Sequence, residues 1–422
     1  MKRSISALLA AALAAAWCAA PMCALADGAN VSAQSGQTDF SAQIEAALNA
    51  RTQQSPCAFV AASEDFTALS ASRGAYTAQD FFLYISGFGA LVRRAGGSDV
   101  DLLPSARAIT HVNDGYAYVL IAGEADSAAK ESDSNGWDTP SGDAYDHAPG
   151  TGRELAMPMD WARISGDGGE PEVLMSRVTS VPIVTGGYAY ALDAEGRLVR
   201  GDMSGSLEVL YTPGTGVELR LSPAPSGVIC ARYDEGLLTG CSLITADSIQ
   251  STPLWSAGAE FHDGYALSYG RTDDGAGRAG LYIIDESGDR LIDADAGSDW
   301  LVVNDHLYYW HADPEQAYGF RDLMLYAPQG TASPEPIPAG EQLRARLIEF
   351  GGALYLTNYD SELYRIDDSA NEPEYTMDLS VNYDFNSDLM PDAILYNAPG
   401  GLGVLLYLDE GDGWRYIGEV VG

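Results

Sequence analysis

Residues 186–211 read "GGYAYALDAEGRLVRGDMSGSLEVLY". Three runs rich in Tyr, Leu and Val are separated by turns bearing Gly and Asp. Each run is too short for a helix and has the composition of a strand. The stretch therefore predicts three antiparallel strands in succession, "YAYAL", "RLVRG" and "LEVLY".

The same unit recurs along the chain. Tyr-, Leu- and Val-rich segments follow turn signals at 81–87 ("FFLYISG"), 114–120 ("DGYAYVL"), 186–192 ("GGYAYAL"), 226–232 ("SGVICAR"), 263–269 ("DGYALSY"), 305–311 ("DHLYYWH"), 352–358 ("GALYLTN") and 392–398 ("DAILYNA"). Several continue into a second strand and turn, as in "GLYIIDESG", "LMLYAPQG" and "ELYRIDDS". The later spacings are roughly 40 residues, the length of a four-stranded propeller blade. One blade cannot bury both its faces, whereas a ring of them can. The expectation is an all-β chain, a β-propeller of four-stranded blades over 57–422. Eight blades are counted, the first poorly formed, with seven as the alternative.

Two segments interrupt the pattern. In "FSAQIEAALNAR", Phe40, Ile44, Ala47 and Leu48 recur at helical spacing, which predicts one short helix within an N-terminal linker over 27–56. Residues 124–154 are a polar insertion rich in Ser, Asp, Gly and Pro between two strands of one blade, read as a mobile loop. Its Trp137 and Tyr145 either grip a ligand or cover the blade edge.

Ahead of these, Lys2 and Arg3 precede a small and apolar run ending in Ala24-Leu25-Ala26, the pattern of a signal peptide over 1–26. No later apolar run is long enough for a membrane span. The expected product is secreted, in the periplasm or outside the cell, and monomeric. The chain carries 23 basic and 60 acidic residues, a formal net charge of −37. That balance argues against nucleic acid and anionic membranes.

Cys57, Cys230 and Cys241 lie beyond the signal segment. Cys230 and Cys241 flank a hairpin expected to turn near Glu235-Gly236 and stand symmetrically about it. They are a disulfide candidate if a four-residue loop sets them at a closely approaching, non-hydrogen-bonded pair, which a two-residue loop would not; Cys57 is then the odd one left, buried or free.

Signatures of common chemistries are absent: no Gly-x-Ser-x-Gly, His-Glu-x-x-His, Cys-x-x-Cys or P-loop occurs. Gly275-Ala-Gly-Arg-Ala-Gly280 opens onto a strand, so no helix N-terminus follows it to receive a pyrophosphate. His111, His262 and His306 fall near blade turns. A ring brings such positions to one face, which suits a metal or a general base; local turn hydrogen bonds are the alternative.

Near the end, "NYDFNSDLMPDAILY" (382–396) places Asp384, Asn386, Asp388 and Asp392 at loop positions 1, 3, 5 and 9 before a strand. Alternate residues of a tight loop turn their oxygens to one centre, as calcium requires, and Met390 would add its carbonyl. Leu395 at position 12 and the following strand exclude an EF-hand.

Two resemblances follow from these residues. The repeats resemble exported bacterial propellers with "LYxID" blades, including PQQ-like repeats, "AYALDAEGRLV" at 189–199 being the nearest match; the terminal tryptophan of that repeat is missing, so quinone binding is not implied. Residues 382–418 resemble an FG-GAP or VCBS-type repeat, which implies a structural Ca2+ in the loop, with Leu389 standing where that family usually has Gly. The function expected is a non-catalytic binding or scaffold module, with a protein, peptide or glycan at the propeller mouth. The alternative is a glycan hydrolase or lyase using acidic residues at the central channel.

If the loop binds calcium, millimolar calcium raises the thermal unfolding midpoint, and Asp384→Ala abolishes that response. An unchanged midpoint in the wild type would sink the site.

Overall fold

The computed structural model describes residues 40–50 and, from 75 to 420, the strands with the greater part of their turns. Outside it lie 1–39, 51–74, 78–81, 86–89, 124–153, 271–279, 313–320, 338–346, 358–361, 367–372, 379–392, 398–403, 410–413, 421–422 and a few isolated turn residues. The calcium-loop residues Asp384, Asn386, Asp388, Met390 and Asp392, and Cys57, Trp137 and Tyr145, are therefore outside the described residues.

Among the described residues, strands follow one another in eight antiparallel sheets, each a simple meander in chain order. Blades 1 to 7 occupy 75–103, 108–180, 183–211, 217–251, 260–293, 296–336 and 348–378, with four strands each. Blade 8, at 393–420, has three among the described residues. The expected propeller is thus present, but blade 1 is fully four-stranded and the shorter sheet stands at the other end. The Tyr-rich segments seen in the sequence are the second strands of blades 1 to 7. The first strands are often only three residues, such as Ile183–Thr185, Glu260–His262 and Ile348–Phe350. First strands of blades 1 and 2, of blades 4 and 5, and of blades 6 and 7 lie against each other, which places them toward the inner side.

The hairpins from first to second strand follow turn chemistry. Gly186-Gly187 and Asn304-Asp305 each hold both central residues left-handed, at φ 57° and 79° and at φ 48° and 62°. That geometry matches the twist of the strands and favours Gly and Asn. Because adjacent strands are antiparallel, hairpins joining strands one to two and three to four leave by one face of the propeller. Connections joining strands two to three, and one blade to the next, leave by the other.

The cores lie between blades. Leu83, Ile85, Ile109 and Val119 fill the seam of blades 1 and 2, and Trp161, Met175, Ala189 and Val199 that of blades 2 and 3. A polar stitch recurs on the hairpin face of these seams. The Arg163 Nη1 on the third strand of blade 2 donates to the Met203 carbonyl of blade 3 at 2.8 Å. Its Nε and Nη2 reach Glu172 at 2.8 and 2.7 Å, and it lies 5.2 Å over the Tyr116 ring. Arg200 repeats this one blade later: Nη1 donates to the Ala246 carbonyl at 2.9 Å, Nε to Glu208 at 2.6 Å, and Tyr188 lies beneath at 4.5 Å. Arg93 makes a longer version, 3.4 Å to the Gly166 carbonyl of blade 2. Arg163 and Arg200 thus each serve their own blade and the next one's hairpin, a use the five guanidinium donors allow.

The helix α1 (Phe40–Asn49) forms where the spacing predicts and buries Ile44, Ala47 and Leu48. It packs on the fourth strand of blade 3 and the third and fourth of blade 4.

The disulfide candidate does not survive the register. The hairpin turns at Glu235-Gly236 as expected, with φ 51° and 79°. Tyr233 pairs with Leu238, but Arg232 pairs with Gly240, leaving Thr239 as a bulge. Beyond it Cys230 faces Ser242 and Cys241 faces Ala231, so the thiols point to opposite sides of the sheet. Cys230 is buried in the seam of blades 3 and 4, and Cys241 in that of blades 4 and 5. Burial pushes the Cys230 thiol up to about 12.

Arg200 is 7% exposed and its partner Glu208 is 47% exposed, so solvent screens part of the pair. Arg200→Met leaves a half-buried carbonyl and ring face without their cation and lowers unfolding free energy by about 1–2 kcal/mol. Arg220→Met, which removes an exposed ion pair, costs under about 1 kcal/mol. Urea denaturation checks both, and equal losses would show that the stitch carries no special weight.

Candidate functional site

A groove of about 530 Å³ opens on the face opposite the arginine stitches. Three blades build it. Leu155 and Thr179 come from blade 2, Leu192, Glu195 and Gly196 from the second-to-third connection of blade 3, and Pro213–Leu219 from the crossing into blade 4. Leu155 follows directly on the 124–154 insertion, whose stems are the strands Tyr116–Ile121 and Glu154–Ser165. The insertion thus leaves blade 2 on the groove face.

Each wall has a local cause. Asp193 closes the blade 3 loop: Oδ1 accepts from the amides of Glu195 at 3.1 Å and Arg197 at 2.9 Å. Its Oδ2 takes Arg197 Nε at 2.7 Å. An Asp that captures amides two and four residues on fixes a tight turn, and Gly196 at φ 70° completes it. Glu195 is thereby placed at the groove, where Arg197 Nη2 holds Oε2 at 3.0 Å. Thr179 Oγ1 donates to the Asp193 carbonyl at 3.0 Å, and Ser180 Oγ accepts the Leu192 amide at 2.8 Å, so blade 2 is sewn to this loop. On the other wall Glu218 Oε1 accepts from Arg220 Nε at 2.6 Å, and Arg220 stacks 4.7 Å over Tyr233. Gly216, at φ 81°, turns the crossing so that the Val217 amide reaches the Gly214 carbonyl at 3.2 Å.

The groove is therefore polar at its rim and apolar at its floor, with Leu192 and Leu219 below. Two carboxylates face it, each with an arginine already bound.

The sequence-predicted histidines do not assemble. His111 sits on the first strand of blade 2, tilted against Tyr118 at 5.5 Å, where burial lowers its pKa. His262 stacks on Tyr265 at 4.8 Å and approaches Glu260 at 2.9 Å. His306 Nδ1 meets the Asn304 carbonyl at 2.9 Å. Each of the three lies beside its own hairpin, and no group of three His, Cys, Asp or Glu is placed for a metal among the described residues. One pair the sequence did not single out is His311 Nδ1 with Asp293 Oδ2, 2.7 Å apart, at the groove-side end of blade 6's second strand. Its signal was the strand-end position, which only the register reveals.

Asp193→Ala removes the acceptor of two turn amides. Faster deuterium exchange at Glu195 and Arg197 is expected, with a stability loss of about 1–2 kcal/mol. Unchanged exchange would show that the backbone alone holds the turn.

No family model and no curated protein matches the chain. Among solved structures, Porphyromonas gingivalis dipeptidyl peptidase 4 is 10% identical with a TM-score of 0.50, over 82% of this chain. The chain spans only 59% of that protein's length. BamB from Moraxella catarrhalis is 11% identical with a TM-score of 0.39, covering 81% of this chain and 95% of that one. An oligogalacturonate lyase in complex with manganese is 11% identical with a TM-score of 0.42, covering 83% and 98%. These are propeller proteins, and at such identities the likeness shows the fold alone.

Proposed function

We propose that the chain is an exported β-propeller that works as a binding or scaffold module, receiving a polar partner in the groove of blades 2 to 4. The partner is a protein, peptide or glycan segment. The observation that carries this is the state of Glu195 and Glu218: each is held by its own arginine at the rim. Carboxylates fixed in this way serve as oriented acceptors. Turn amides and carbonyls of Pro213–Leu219 add further polar contacts over an apolar floor, the mix found in recognition sites. The negative charge of the chain favours partners that are neutral or cationic. A structural calcium in the 384–392 loop completes the proposal; the strand which that loop enters is present at Ala393–Asn397.

The second reading, a glycan hydrolase or lyase, draws on Asp293 and His311. A carboxylate on Nδ1 leaves Nε2 able to take a proton.

One experiment separates them. The purified protein is passed over immobilised peptide and oligosaccharide panels, and bound and unbound material is analysed for cleavage. Retention without cleavage, weakened about tenfold or more by Thr215→Arg and unaffected by Asp293→Asn, is expected. Turnover of a glycan that stops in Asp293→Asn would replace the binding module with the enzyme.

A further inference from the structure

We propose that α1 is a detachable latch on the seam between blades 3 and 4. The rim there is a helix-binding notch, filled in cis, that takes a short amphipathic helix with an acid on its polar edge.

The notch is built for its occupant at successive points. Arg200 lies 5.0 Å over the ring of Phe40. The Tyr211 hydroxyl donates to Glu45 Oε2, and Arg232 Nη1 donates to Asn49 Oδ1 at 2.9 Å. Ser251 Oγ donates to the Ala50 carbonyl at 2.9 Å, satisfying one of the acceptors a helix end leaves open. The Tyr211 and Asn49 bonds hold the Glu45 carboxyl below its usual range. Gly240 admits the last turn: a Cβ there would lie 2.1 Å from the Leu48 carbonyl oxygen. The Thr239 bulge puts that glycine in place.

The helix is nonetheless no part of either blade. All four strands of blades 3 and 4 come from 183–251, and their ladders are complete without it. Ten residues do not hold a helix alone in water, so α1 is helical because it is docked. Residues 50–74 separate it in the sequence from the first strand of blade 1.

Undocking would uncover one particular core. Ile44 and Leu48 belong to the same buried cluster as Cys230, Leu192 and Leu219. Leu192 and Leu219 also line the groove. The latch therefore controls the groove floor, a consequence that rests on the binding reading of the groove; the notch itself does not.

The two thiols report on the latch. In the full chain carrying Ile44→Asp and Leu48→Asp, maleimide is expected to label Cys230 about tenfold faster or more, with Cys241 unchanged. Labels are located by peptide mass mapping. A synthetic peptide of residues 38–52 is expected to restore protection of Cys230, and to fail when Gly240→Ala is added. Cys230 labelling no faster than in the wild type would overturn the proposal. Equal acceleration at both thiols would overturn it too, because α1 would then be integral core. So would a peptide that restores nothing, or one that still protects with Gly240→Ala present. Loss of groove binding with the thiol pattern intact would sink the groove reading and leave the latch standing.

Discussion

A guanidinium shared between neighbouring blades fixes the seams of blades 2 and 3 and of blades 3 and 4. Arg163 and Arg200 each stand on a third strand, pair with an acid directly across on the fourth, and donate to a hairpin carbonyl of the next blade. A blade has two faces to cover and no internal means of covering them. Apolar seams supply the driving force, but they are non-directional and do not choose a twist or offset. A buried cation with fixed donors does choose, because a misplaced neighbour leaves its charge unsatisfied. The seam of blades 5 and 6 reaches the same end differently, with Arg290 on a fourth strand meeting the Tyr326 hydroxyl of blade 6.

This stitching gives the propeller two unlike faces. The stitched face is made of tight hairpins whose residues are spent on each other and on the arginines. The opposite face carries the longer connections, the stems of the 124–154 insertion, the groove and the Asp293–His311 pair. Rigid seams on one side free the other to vary its loops without loss of register, a division of labour common where function sits on loops held by a scaffold. Such architecture does not by itself decide between recognition and catalysis.

Much of this was legible in the residues. Second strands announce themselves by a turn glycine or Asn followed by Tyr and alternating apolar residues, and α1 by Phe40, Ile44, Ala47 and Leu48. First strands of three residues are too short for any periodicity to register. The stitches were invisible because each joins residues 40 or more positions apart, though an Arg two places before the end of a third strand marks them in hindsight. The cysteines show the limit most clearly: their spacing is symmetric about the turn, but the turn is only two residues long and the Thr239 bulge sets the thiols on opposite sides of the sheet. The groove draws on three blades at once, so no single motif encodes it.

The position of α1 also sets an order of events during synthesis. Phe40–Asn49 emerges before any blade, yet Ser251, which meets Ala50 across 201 residues, completes its seat. Until blade 4 is made, the segment has only the edge of blade 3 to lie against, and its seat stays incomplete. A chain arrested or cleaved before residue 251 therefore keeps an amphipathic segment without its full seat.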